Sequence, residues 1–133
     1  MKKLFAILTF MFTLFIGVQT AGAYTLETYD MEGTIGTYKV KIYLKLNTST
    51  GKATGWYYYK SKGVKNKIQL SGTVKNFTDC GNVKLTEKVN GKVTGSFSGE
   101  FCESARGNMS YSGTWTSPSG KKHSLELDDM WNN

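Results

Sequence analysis

One histidine, one proline and two cysteines leave a 133-residue chain with few tools for chemistry, and each scarcity excludes something. Nucleophilic catalysis by serine or thiol needs a base held beside the nucleophile and a third group to orient it. The only base of that kind is His123, flanked by Lys121 and Lys122 at the start of the last strand, where an exposed strand-end histidine is expected. One imidazole and two cysteines that are better used on each other cannot assemble a transition-metal site, so no metal and no cofactor are expected. The single proline, Pro118, falls in a turn. Helical periodicity is almost missing after residue 23, which excludes helix bundles and α/β layers.

Long apolar runs are also missing, with one exception at the start. Lys2 and Lys3 precede the apolar stretch Leu4 to Val18, and Ala21-Gly22-Ala23 fits a small-residue cleavage site, so residues 1–23 read as a cleaved signal peptide. No cysteine follows the cut, which argues against a lipid anchor, and no later stretch is long enough to span a membrane as a helix. The expected mature protein is residues 24–133, one domain, periplasmic or secreted. Removing the two leader lysines leaves 15 basic against 10 acidic residues, a net charge of +5. Export of a chain with an even cysteine count points to a Cys80–Cys102 disulfide.

What the chain does have is alternation at period two. Val40, Ile42, Leu44 and Leu46 share one face while Lys39, Lys41, Tyr43 and Lys45 share the other, the pattern of a half-buried strand. Eight strands are expected: near Leu26 to Thr34, Thr37 to Asn47, Ala53 to Lys60, Lys67 to Asn76, Asn82 to Val89, Lys92 to Phe101, Asn108 to Thr116 and Lys122 to Leu127. A glycine-led motif recurs as Gly51-Lys52-Ala53-Thr54-Gly55-Trp56-Tyr57-Tyr58-Tyr59, Gly91-Lys92-Val93-Thr94-Gly95-Ser96-Phe97 and Ser112-Gly113-Thr114-Trp115. The links are short and polar, and Asn90-Gly91 is a strong tight-hairpin signal.

Short links imply an antiparallel meander, and a meander of this length avoids exposed edges by closing on itself. The expected fold is therefore all-β, a single eight-stranded antiparallel up-and-down barrel, with a two-sheet β-sandwich as the alternative. Parity gives an inner set of Val40, Ile42, Leu44, Tyr58, Ile68, Leu70, Val74, Val83, Leu85, Phe97, Phe101, Tyr111, Trp115, Leu125 and Leu127. Gly72, Gly95, Gly99 and Gly113 share that face, as expected at bends or beside aromatics. Met130 and Trp131 are candidates to cap one barrel mouth.

Glu87 is the charge that stands out, because alternation from Val83 and Leu85 turns it inward. A buried carboxylate needs a partner, and Arg106, Tyr58 or Tyr111 could supply one. The candidate ligand-binding residues are thus Tyr58, Glu87, Arg106, Tyr111 and Trp115. A glycosidase would require a second carboxylate across a cleft, for which Glu100 and Glu103 are the candidates, although parity turns Glu100 outward. The lysines and tyrosines between Trp56 and Lys67 resemble a stacking surface for single strands; export argues against nucleic acid and leaves acidic glycans or the anionic envelope, beside the plainer reading of lysines that keep a sheet soluble.

These residues resemble a loose group of small exported bacterial β-barrel domains with no assigned function. The resemblance is carried by Gly33-Thr34-Ile35-Gly36-Thr37-Tyr38, Gly55-Trp56-Tyr57-Tyr58-Tyr59, Ile68-Gln69-Leu70-Ser71-Gly72, Leu85-Thr86-Glu87, Thr94-Gly95-Ser96-Phe97-Ser98-Gly99 and Gly113-Thr114-Trp115. Trp56 and the cysteine pair depart from the group's pattern. The resemblance implies an exported barrel without established catalytic residues. Lipocalins and avidins are similar in architecture only, since the lipocalin Gly-x-Trp lies near the start of the domain and here it lies near the end.

The function expected from these observations is an exported, monomeric, non-enzymatic binding or accessory module for a small molecule, glycan or envelope protein. An inhibitor of an envelope-active hydrolase such as lysozyme is the alternative, and a carboxylate-based hydrolase the third reading.

Overall fold

The computed structural model describes residues 26–104 and 106–129. The signal-peptide reading of residues 1–23 and the proposed cap by Met130 and Trp131 lie outside the described residues. Among the described residues eight strands follow one another: β1 (Leu26–Ile35), β2 (Tyr38–Asn47), β3 (Lys52–Tyr59), β4 (Ile68–Lys75), β5 (Cys80–Val89), β6 (Lys92–Glu103), β7 (Met109–Thr116) and β8 (Lys122–Asp129), with a 3-10 turn at Val64–Asn66 between β3 and β4. Each pairs antiparallel with its sequence neighbours, and β8 returns to β1 from Leu125↔Ile35 to Asp129↔Met31, closing the barrel. Closure gives every strand two partners, so no edge remains to template aggregation. The sandwich alternative is thereby overturned.

Local chemistry explains the elements. In β2 the inward residues Val40, Ile42, Leu44 and Leu46 are buried while the intervening lysines and tyrosines face outward, the division a one-sided sheet requires. Asn90 and Gly91 both take positive φ, 53° and 79°, the geometry of the two-residue turn that matches strand twist.

All eight strands send buried apolar side chains into the interior, from Met31 and Ile35 on β1 to Leu125 and Leu127 on β8. Two expectations about the inner set need correction. Tyr58 faces outward; Ala53 and Tyr57 are the buried residues of β3. Four consecutive aromatics, Trp56 to Tyr59, carry no alternation of their own. The phase comes from across the sheet, where Ala53 pairs with Leu46 and Tyr57 with Ile42. Ile68 and Trp115 are only partly buried and pack against the core from its margin.

Curvature needs glycine where strands press together. A Cβ on Gly72 would lie 1.8 Å from the Lys84 carbonyl oxygen of β5, so no other residue fits this bend without parting the two strands.

Cys80 and Cys102 pair directly across β5 and β6 and form the expected disulfide, with Cα atoms 4.1 Å apart. Closing a loop of 22 residues contributes roughly 3 kcal/mol in the chain-entropy treatment. Among the described residues no helix is long and apolar enough to cross a membrane.

Candidate functional site

The two ends of the barrel differ in kind. At one end, where β5 meets the Asn90-Gly91 turn, Glu87 is buried at 4% exposure. Its Oε1 accepts hydrogen bonds from the Tyr57 hydroxyl at 2.5 Å and from Trp115 Nε1 at 2.8 Å, and its Oε2 accepts one from Thr94 Oγ1 at 2.7 Å. Three donors from three different strands supply what a buried carboxylate must have.

Two irregularities deliver them. Glu87 pairs with Gly95 but Lys88 pairs with Val93, so Thr94 is the extra residue of a β-bulge. A bulge re-aims side chains: Val93 is turned out to 48% exposure and the Thr94 hydroxyl is turned in to Glu87. Gly95 then leaves the space that the indole fills, for a Cβ there would lie 2.7 Å from Trp115.

Of the residues singled out from sequence, Glu87 and Trp115 come together. Tyr111 is fully buried, yet its hydroxyl donates to the Val83 carbonyl at 2.8 Å rather than to Glu87. Tyr58 lies on the outer face. Arg106 belongs to the link between β6 and β7, at the opposite end of the barrel from Glu87. The partner that sequence reasoning missed is Tyr57, one position from the expected tyrosine, because the aromatic run hides its phase. Thr94 was missed because alternation contains no signal for a bulge. His123, expected to be exposed, is half-buried and stacks on Trp115 with ring centroids 5.7 Å apart.

Burial pushes the phenols of Tyr57 and Tyr111 well above the ordinary tyrosine value of 10.0, and for Tyr57 the hydrogen bond to Glu87 and that carboxylate's charge add to it. A phenol held neutral in the fold but free to ionise when unfolded stabilises the protein below the unfolded pKa. That stability is lost as pH climbs above it. Between pH 10 and 11 unfolding should become easier by up to about 1.4 kcal/mol for each phenol. Denaturant titrations at the two pH values should show the fall, and Tyr111→Phe should remove about a quarter of it, since burial also raises the phenols of Tyr29, Tyr57 and Tyr59. An identical slope in that variant would exclude the Tyr111 share.

The other end holds a cleft of about 580 Å³. It is built from the start of β1, the ends of β2, β6 and β8, and the links before β5 and β7. Part of its lining is apolar, from Leu46, Phe77 and Met109, and Tyr29, which also lines it, packs on Phe101 with ring centroids 4.9 Å apart. Glu27, Asp30, Glu103 and Asp129 add four carboxylates to the lining, beside Thr28, Thr48 and Thr78. Parity in β1, β6 and β8 turns Glu27, Glu103 and Asp129 toward the barrel axis. The Tyr29 hydroxyl donates to Glu27 Oε1 at 2.5 Å. Its pKa is raised, first by burial, then by the hydrogen bond to Glu27 and by the charges of Glu27, Glu103 and Asp129.

The glycosidase arrangement finds little support in these positions. Glu100 is exposed on the outer face of β6, and Glu103 stands at the opposite end of the barrel from Glu87. Among the described residues no group of three or more His, Cys, Asp or Glu side chains is disposed to hold a metal ion.

Comparisons with protein-family models, with curated proteins and with solved structures found no match to this chain.

Proposed function

We propose that the chain is an exported, non-enzymatic binding module that holds a cationic ligand in the cleft at the Glu27–Glu103 end of its barrel. The observation that carries this reading is the cleft itself, about 580 Å³ and lined both by apolar and aromatic side chains and by four carboxylates. That volume lies within the range of small-molecule sites, which combine apolar lining with a few convergent polar groups. A cation with an apolar body satisfies both surfaces at once, its charge against the carboxylates and its carbon skeleton against Tyr29 and Phe77. Export is supported by the leader sequence and by the disulfide. The non-enzymatic reading is supported by Glu87, whose oxygens are committed to three protein donors at the far end of the barrel.

Spermidine and choline, titrated into the exported chain, should raise its melting temperature through binding to the folded state, whereas citrate should not. The double variant Glu103→Gln, Asp129→Asn should lose most of the shift. No shift with either cation, or a shift that the double variant retains, would remove the cleft as the ligand site.

Inhibition of a basic envelope hydrolase such as lysozyme is favoured by one specific observation. The chain as a whole is basic, which opposes encounter with a basic enzyme, but the four carboxylates lining the cleft offer a local face of opposite sign. A purified basic lysozyme inhibited at micromolar concentration by the wild-type chain, and not by the double variant, would establish this reading over a small-molecule ligand.

A further inference from the structure

Charge is unevenly distributed along this chain. From Gly33 to Thr78 there are nine lysines and neither aspartate nor glutamate. That segment forms β2, β3 and β4, three adjacent strands, so about a third of the barrel wall is basic while the carboxylates collect elsewhere. Lys60 is answered by Glu32 of β1 at 2.7 Å, at the border of the patch.

Aromatics occupy the middle of this basic wall, on the outward face where a one-sided sheet is normally polar. Tyr43 and Trp56 pair directly across β2 and β3, their rings 5.5 Å apart and 20° from parallel, and Tyr58 follows Trp56 at 6.1 Å and 21°. All three are only partly buried. Lys67 places its Nζ 4.2 Å from the centre of the Trp56 ring. Lys41 pairs with Tyr58, and Lys45 sits two residues along β2 from Tyr43. The result is a continuous aromatic strip flanked by ammonium groups.

We infer that the outer face of β2–β4 is a docking surface for an acidic polysaccharide. Sugar rings present apolar C–H faces that lie against aromatic rings, and carboxylate or sulfate substituents on the chain meet the flanking lysines. An oxidised disulfide belongs to compartments outside the reducing cytosol, where acidic glycans rather than nucleic acids are the expected polyanions. This inference uses a different face from the cleft and stands whether or not the cleft binds a cation.

The test is calorimetric titration of the exported chain with oligogalacturonate, with neutral maltodextrin of the same length and with oligo-dT as comparisons. Oligogalacturonate should bind and maltodextrin should not. Trp56→Ala should weaken binding by about tenfold or more, the scale of a lost stacking contact. Lys41→Gln with Lys67→Gln should weaken it and flatten its salt dependence. Lys121→Gln with Lys122→Gln removes the same charge from β8 and its preceding turn and should change little. Should Trp56→Ala lower the melting temperature, Tyr43→Ser on the neighbouring strand repeats the measurement. The inference is overturned by any of four results: no binding of oligogalacturonate; binding indifferent to both aromatic variants; equal losses in the two lysine pairs; or tighter, Trp56-dependent binding of oligo-dT, which would make the surface a single-strand site.

Discussion

Glu87→Ala should destabilise the barrel by about 4 kcal/mol, the sum of buried donors left without an acceptor and of the space the side chain vacates. The variant deletes the acceptor and leaves three donors behind: the Tyr57 hydroxyl, the Thr94 hydroxyl and the Trp115 N–H. An unmet buried donor costs about 1–3 kcal/mol, and Thr94 and Trp115 recover part of that because neither is fully buried. For a domain of this size the loss corresponds to a melting temperature lower by on the order of 20 °C. Glu87→Gln keeps the shape and one acceptor oxygen, which can still receive Tyr57 and Trp115, and should cost only about 1–2 kcal/mol. Chemical denaturation of both variants beside wild type makes the comparison. Equal and small losses would show that Glu87 is not what ties β3, β6 and β7 together at this end.

Gly72→Ala should cost about 3 kcal/mol or more, because overpacking that cannot be relieved by a rotamer change moves backbone instead. The added methyl would fall 1.8 Å from the Lys84 carbonyl oxygen and 2.9 Å from the Leu85 Cα. Both are main-chain atoms of the partner strand, so relief requires separating β4 from β5 where Gly72 pairs with Leu85. Ser71→Ala, its exposed outward neighbour, should change stability by less than about 0.5 kcal/mol. Equal stability of the two variants would mean that the barrel bends without needing glycine at this point.

Much of the architecture was legible in the residues because it follows from local rules. The Val40-x-Ile42-x-Leu44-x-Leu46 alternation sets one strand and its buried face. Asn90-Gly91 sets a hairpin through its positive φ angles. Cys80 and Cys102 could be joined on compartment and parity of number alone. The inward turn of Glu87 was also legible, since period two runs unbroken from Val83 to Glu87.

The partners of Glu87 were not. Trp56, Tyr57, Tyr58 and Tyr59 look alike to any periodicity, and only pairing with β2 decides that Tyr57 points in and Tyr58 out. Thr94 reaches Glu87 because one residue is inserted against β5, a register event between strands rather than a property of either. Arg106, a reasonable counter-ion on composition, is separated from Glu87 by the length of the barrel.

The sequence by itself thus determined that this chain is all-β, built of short antiparallel strands, and basic, because alternation, turn chemistry and charge act over a few residues or over the chain as a sum; closure was settled only by the pairing of β8 with β1. Only the tertiary structure decided where charge gathers. Glu27, Glu103 and Asp129 are far apart in sequence, and β1, β6 and β8 bring them to one cleft. Tyr43 and Trp56 become a pair only when β2 lies against β3. Both surfaces arise from cross-strand neighbours, and which residues become neighbours is fixed by register around a closed sheet, which no single strand encodes.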